Sequence, residues 1–133
     1  MSAVVLDTHA AVWYLLRSPK LTSSALSRIE ETISQGDPVY VSVISVAEVV
    51  YLAEKAKLPI VALDRLIAAL SDSDASMVPV PFDINIALAL RRISRDSVPD
   101  LPDRIIAATA LHLNLTLITR DRKIRAAGID SLW

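Results

Sequence analysis

The chain has 133 residues, of which 53% are hydrophobic, and a formal net charge of -1 at pH 7. This length fits one domain over residues 1–133, with ample apolar side chains for its core. The lack of cysteine excludes disulfides, cysteine-ligated metal centres and thiol nucleophiles. Gly36 and Gly128 are too far apart for a dinucleotide fingerprint or a Walker phosphate loop, so any phosphate chemistry needs another basis.

The mean hydropathy of +0.43 is high, but no apolar run reaches the roughly 18 residues of a membrane span. No basic leader precedes the first apolar run, and we therefore expect a cytoplasmic protein that does not enter a membrane. Excess apolar content in a small domain indicates that another chain covers part of its surface. We expect an oligomer or a protein partner.

Short apolar runs alternate with helical patterns along the chain, which is typical of an α/β fold. The predicted strands are Ala3–Leu6, Val39–Val43, Met77–Val80, Leu115–Ile118 and Ile129–Leu132. Four predicted helices span residues 8–17, 45–57, 83–95 and 103–113. Two more are predicted from apolar stripes: one contains Leu26, Ile29 and Ile33, and the other includes Leu63 and Leu66.

Two features fix the predicted arrangement of these elements. Pro79 and Pro81 place the third strand at a sheet edge, because proline cannot donate to a neighbouring strand. Right-handed crossovers between the strands give a mostly parallel central sheet of four to five strands with helices on both faces. The fold class is therefore a three-layer α/β/α fold.

Four acidic residues follow the predicted strands or open neighbouring helices. Asp7 ends the first strand, and Asp121 comes just after the fourth. Glu48 lies about one turn into the helix after the second strand, and Asp103 opens the helix that leads to the fourth. Ligands bind beyond the carboxyl ends of parallel strands. We therefore expect the four carboxylates to meet at one rim of the sheet.

Each acid also has a purely structural interpretation. Asp7 is a candidate helix N-cap, and Asp100 with Asp103 resembles a capped helix start. Asp121 fits a surface loop, and Ser45 to Glu48 match the capping box S-x-x-E. On this interpretation the chain is a non-catalytic binding or oligomerisation module.

Glu48 favours the functional interpretation, because the surrounding segment 46–53 is apolar on nearly every side and predicts a buried helix. A buried carboxylate needs a counter-charge. Two like charges 4 Å apart repel by about 4 kcal/mol at an effective dielectric near 20. Oxygen ligands favour Mg²⁺ or Mn²⁺, which commonly bind phosphate oxygens as well. The pattern predicts a metal-dependent phosphodiesterase.

Four motifs in this order resemble PIN-domain ribonucleases, and more narrowly the VapC-type toxins of type II toxin–antitoxin pairs. They are LDTH at 6–9, S-x-x-S-x-x-E at 42–48, LPDRIIAATA at 101–110 and LITRD at 117–121. The resemblance spans nearly the whole chain. It implies a PIN-like fold and a Mg²⁺- or Mn²⁺-dependent endoribonuclease that leaves a 5′-phosphate and a 3′-hydroxyl. It also implies a homodimer, and a cognate antitoxin that covers the acidic groove.

The resemblance also assigns roles to individual residues. Asp7, Glu48 and Asp103 would hold the ion directly or through water, and Asp121 would complete the cluster or bind a second ion. Thr119 would orient a ligand or the attacking water. Asp100 is an additional acid whose role the resemblance leaves open, and supporting a metal ligand is the candidate role.

Residues 91–125 carry a formal charge of +4, against -5 for the remainder, and this asymmetry fits either phosphate contacts or an ordinary solvated face. We expect Arg104, Arg120 and Arg122 to contact RNA phosphates. Trp13 is expected in the core or a dimer contact rather than against a base, and His9 as a packed helix residue.

Overall fold

The computed structural model describes residues 3–133. Five strands within this range form one parallel sheet. The strands are β1 (Val4–Leu6), β2 (Val39–Ser42), β3 (Met77–Val80), β4 (Thr116–Ile118) and β5 (Ser131–Leu132). Their spatial order is β3-β2-β1-β4-β5, so β1 is central and β3 lies at an edge, as its prolines predict.

Seven α-helices and one 3₁₀ turn connect the strands within the described residues. They are α1 (Thr8–Leu15), α2 (Ser23–Ser34), α3 (Val43–Glu54), α4 (Ile60–Ser71), α5 (Ile84–Ala89), the 3₁₀ turn Leu90–Arg92, α6 (Leu101–Leu113) and α7 (Arg122–Ala126). No helix in residues 3–133 has the length and apolar character needed to cross a membrane.

The helices cover both faces of the sheet, because successive strand residues point to opposite sides. Val4 and Leu6 pack in one apolar cluster with residues of α1, α2 and α4, whereas Val5 packs in a second cluster with residues of α5, α6 and α7. The predicted three-layer α/β/α fold is confirmed.

The close packing of α6 depends on its small residues. Ala107, Ala108 and Ala110 are at most 1% exposed, and they belong to the cluster that contains Val5 and Leu117 of the neighbouring strands. Small side chains let the helix axis approach the sheet. Asp103, at the start of the same helix, is positioned through this packing.

Three details differ from the sequence-based prediction. The helix expected to continue to Arg95 ends at Ala89, because Ile93 leaves helical geometry (φ -119°, ψ 117°) and is buried. Leu26 is 38% exposed, since α2 buries Ala25 and Ile29 instead. The apolar helix α3 is not buried all round: only Ser45 and Val49 are fully buried.

The contact between α6 and the sheet can be tested by adding volume. Ala107→Leu is expected to lower the free energy of unfolding by about 1–3 kcal/mol, because extra methylenes in a packed core force side chains and backbone apart. Urea unfolding measures the change. Ala126→Leu, at an exposed position of α7, is the control and should shift it by less than about 0.5 kcal/mol. Equal effects of the two substitutions would contradict this packing.

Candidate active site

The predicted acidic residues gather in one pocket of about 390 Å³ at the carboxyl ends of β1 and β4. Its lining consists of Asp7, Thr8, His9, Glu48, Asp100, Asp103, Arg120 and Asp121, and we call it the acidic pocket. Five carboxyl groups thus face a single arginine and a histidine. The segments that supply them lie far apart in sequence and come together through the parallel sheet.

Asp7 occupies the end of the central strand and is held from two sides. Its Oδ1 accepts the Ala10 backbone N–H at 2.8 Å, so it is the N-cap of α1. Its Oδ2 accepts the Thr119 hydroxyl at 2.5 Å, and Thr119 Oγ1 accepts the Asp121 backbone N–H at 3.0 Å. The structural interpretation of Asp7 as a cap is correct, and the same residue lines the acidic pocket.

Glu48 does not close a capping box. Ser42 is the N-cap of α3, and its hydroxyl accepts the Ile44 backbone N–H at 3.2 Å. Ser45 lies inside the helix, fully buried, with its hydroxyl 2.9 Å from the Thr8 hydroxyl. Thr8 in turn donates to Glu48 Oε1 at 2.5 Å. The alternative interpretation of Ser45 to Glu48 as a capping box is therefore wrong.

The remaining acids lie at helix N-termini. Asp100 caps α6 by accepting the Asp103 backbone N–H at 3.1 Å, which places Asp103 in the first turn. Asp121 caps α7 by accepting the backbone N–H groups of Lys123 and Ile124 at 2.8 and 3.3 Å. Helix N-termini favour negative charge, so the fold stabilises these acids where they crowd the pocket.

Burial and mutual repulsion alter the acid–base properties of the pocket. Burial raises the pKa of Asp7, against the opposing hydrogen bonds from Thr119 and Ala10. Burial likewise raises the pKa of Glu48. The pKa of Asp103 rises to about 7, because its carboxyl group is partly desolvated and nearby acids, Asp100 first, add negative charge. The pocket therefore disfavours its full complement of negative charges.

A divalent cation suits the donor set of this pocket. Among residues 3–133 no three His, Asp or Glu side chains are already arranged around a common point as ligands. The donors are nevertheless carboxylate oxygens, which hard cations such as Mg²⁺ prefer. A cation would also offset the burial and the repulsion that together raise the pKa of Asp103. The residues present therefore fit such an ion.

The predicted RNA-contacting arginines have different environments. Arg120 is exposed, lines the acidic pocket and lies over the Trp13 ring with its guanidinium carbon 4.6 Å from the ring centroid. Arg122 is exposed on α7 outside the pocket lining. Arg104 donates to the backbone carbonyls of Leu90 and Ile93 at 2.8 and 3.0 Å. Through Nη2 the guanidinium ties the 3₁₀ turn to α6, and the phosphate contact of Arg104 stays a prediction.

Two aromatic positions can also be compared with expectation. Trp13 is 6% exposed and packs in the core, as predicted. His9 is exposed and lines the acidic pocket, with its ring centroid 5.4 Å from that of Trp13. His9 is therefore a helix residue whose ring lies against Trp13, but it is exposed at the acidic pocket rather than buried.

Sequence reasoning missed the hydrogen bonds of Thr8 and Ser45. Both residues lie inside the quoted motifs, but a buried hydroxyl and an exposed one look alike in sequence. The usable signal was position: Thr8 directly follows Asp7, and Ser45 precedes Glu48 by about one helical turn.

Comparisons with known proteins agree with this geometry. The family model described as the PIN domain matches residues 4–129. Ribonuclease VapC22 of Mycobacterium tuberculosis is 30% identical over 128 residues, covering 95% of this chain and 92% of the relative. The chain therefore belongs to the PIN-domain family, and its resemblance to VapC-type proteins is confirmed.

Solved structures show the same fold at lower identity. VapBC2 from Rickettsia felis, solved bound to a DNA fragment from its promoter, has a TM-score of 0.72 at 19% identity and covers 98% of this chain and 97% of that chain. A toxin–antitoxin complex from Klebsiella pneumoniae has a TM-score of 0.66 at 24% identity, with 98% and 96% covered. These similarities support the fold.

The crowding of the acidic pocket predicts a stabilising substitution. The folded-state pKa of Asp103, about 7, lies above its ordinary value of 3.8, so the folded protein binds this proton more tightly than the unfolded chain. The ionised group therefore lowers stability above pH 7, and this cost disappears as the pH falls towards 3.8. Asp103→Asn should stabilise the metal-free protein at pH 8 by about 1–2 kcal/mol after allowance for solvent screening.

Urea unfolding in EDTA at pH 8 and pH 5 measures this gain, which should be smaller at pH 5. Asp64→Asn, at an exposed position of α4, is the matched control and should change stability little at either pH. A loss of stability in the Asp103 variant at pH 8, or a gain independent of pH, would contradict the repulsion.

Proposed function

We propose that this chain is a metal-dependent endoribonuclease that hydrolyses RNA phosphodiester bonds and acts as the toxin of a toxin–antitoxin pair. The observation that supports it best is the acidic pocket, where Asp7, Glu48, Asp103 and Asp121 meet at the carboxyl edge of the sheet. The relative from Mycobacterium tuberculosis that bears the name ribonuclease supports RNA as the substrate.

Asp7, Glu48 and Asp103 would hold Mg²⁺ or Mn²⁺, directly or through water, and Asp121 would complete the set or serve a second ion. Such an ion supplies electrostatic stabilisation to the scissile phosphate and activates water at neutral pH. Thr119 fixes one oxygen of Asp7 by its hydrogen bond. Asp100 sets the position of Asp103 through the cap of α6.

Arg120 is the arginine best placed to bind the substrate. It stands at the edge of the acidic pocket, and its guanidinium rests on the buried Trp13 ring. Stacking on an aromatic face holds the guanidinium while its donors stay available to phosphate oxygens. Apart from Thr8 and His9, the other residues that line the pocket are acidic, so this cation, together with the bound metal, would offset their repulsion of the RNA backbone.

A protein partner is part of the proposal. Several large apolar side chains are exposed, among them Tyr51 at 58%, Ile60 at 63% and Ile84 at 69%. Large apolar side chains at the surface are common where other chains bind. We propose that a second copy of the chain and a cognate antitoxin cover them, and that the protein acts in the cytoplasm.

A non-catalytic binding module remains the second candidate, because Asp7, Asp100 and Asp121 do cap helices. The two candidates differ in their response to a divalent cation. A nuclease pocket should bind Mg²⁺ or Mn²⁺ and gain thermal stability, whereas independent caps should not respond.

Asp7→Asn and Asp103→Asn should each reduce Mg²⁺-dependent cleavage of a single-stranded RNA by at least about 100-fold, because each removes a negative oxygen donor. Gel analysis of an end-labelled RNA, with wild type and Asp64→Asn as active controls, measures the loss. Cleavage that survives in both variants, or that continues in EDTA, would rule out the proposed chemistry.

Arg120→Ala should weaken RNA binding measured in EDTA and reduce the dependence of log Kd on log salt by about one phosphate contact. Arg91→Ala is the control, because Arg91 lies beside His112, near the opposite end of α6 from Asp103. Fluorescence anisotropy at several salt concentrations gives both quantities. An affinity and salt slope equal to those of wild type would exclude Arg120 from the RNA interface.

A further inference from the structure

Thr8 and Ser45 form a buried hydroxyl pair beside the acidic pocket. Thr8 is 4% exposed and Ser45 is fully buried. Buried hydroxyls are costly without partners. Here the two oxygens are 2.9 Å apart, and Thr8 Oγ1 also lies 2.5 Å from Glu48 Oε1. The hydroxyl pair is therefore hydrogen-bonded to Glu48, one of the carboxylates of the proposed site.

The direction of these hydrogen bonds follows from counting protons. Ionised Glu48 can only accept, so Thr8 gives its single hydroxyl proton to Oε1. Thr8 then has no proton left for Ser45, and Ser45 must donate to Thr8. The result is a directed chain, Ser45 to Thr8 to Glu48, that ties α1 to α3.

This chain restricts Glu48 more than packing alone would. A glutamate side chain has three rotatable bonds, and fixing it in one conformation costs side-chain entropy. Thr8 is β-branched and therefore stiff, and it is the residue that directly follows Asp7. The rigid Thr8 side chain thus sets the position of Glu48 Oε1 relative to Asp7. The other oxygen of Glu48, Oε2, has no hydrogen-bond partner among residues 3–133.

We infer that Thr8 is a positioning residue of the active site, which orients Glu48 towards the ion with Ser45 as its fixed donor. The inference rests on the proposed function. Thr8 does not touch substrate or ion in this role; it acts through Glu48. Groups that orient ligands in this way typically contribute about 10–100-fold to metal affinity or activity.

The test compares Thr8→Val, which has nearly the same shape without the hydroxyl, with Thr8→Ser, which keeps the hydroxyl. Thr8→Val should raise the Mn²⁺ concentration at the midpoint of a thermal-shift titration about tenfold or more. It should lower kcat for RNA cleavage by about 10–100-fold and leave KM for RNA nearly unchanged. Thr8→Ser should restore both quantities to within a few-fold of wild type.

Two further variants separate orientation of Glu48 from general damage. Adding Thr8→Val to Glu48→Gln should cause little further loss, because Thr8 acts through that carboxylate. The double variant Thr8→Val/Ser45→Ala removes both hydroxyls, so it should fold well and still show the raised Mn²⁺ midpoint. Circular dichroism checks the fold of each variant.

The possible results distinguish failure of this inference from failure of the proposed function. Wild-type Mn²⁺ affinity and kcat in Thr8→Val, no rescue by serine, or losses that multiply with those of Glu48→Gln would overturn the inference while the nuclease assignment stands. If wild type itself neither binds Mn²⁺ nor cleaves RNA, the proposed function fails, and the inference fails with it.

Discussion

Repulsion among carboxyl groups is the constraint around which the acidic pocket is built. Five of them line a cavity of about 390 Å³, and an isolated carboxylate in such surroundings is strongly disfavoured. The fold holds them there through specific donors: the Thr119 hydroxyl on Asp7, the Thr8 hydroxyl on Glu48 and backbone N–H groups on the capping acids. The raised pKa of Asp103 reflects its burial first and, after that, the repulsion that these donors leave unrelieved.

Much of this arrangement could be predicted from sequence, because it follows from the periodicity of apolar residues and from the geometry of parallel strands. A buried strand before Asp7 and another shortly before Asp121 place both acids at one edge of the sheet whatever the details of packing. The prolines around β3 fixed its edge position in the same way. The buried strands before the acids and the prolines around β3 are both short stretches of sequence, and each allows only one position in a parallel sheet.

The parts that could not be predicted depend on contacts between distant residues. Nothing in the segment 101–110 indicates that Arg104 reaches the carbonyls of Leu90 and Ile93 rather than solvent. Composition likewise suggested a buried α3, yet most of its apolar residues stay at least partly exposed because only one face meets the core. Ser45 matched a capping pattern, but the helix starts earlier and turns this serine inward.

Three of the acids both line the acidic pocket and cap helices, so the choice of substitution decides what a mutational test of the site measures. An alanine scan would confound two losses at Asp7, Asp100 and Asp121, since it removes a helix cap worth about 0.5–2 kcal/mol along with the negative charge. Asparagine keeps the accepting oxygen at the N-terminus of the helix and removes the charge, but at Asp7 its amide NH2 also replaces the oxygen that accepts the Thr119 hydroxyl. At Asp100 and Asp121, which each accept through one oxygen, amide replacement isolates the effect of charge, whereas truncation to alanine also weakens the helix cap.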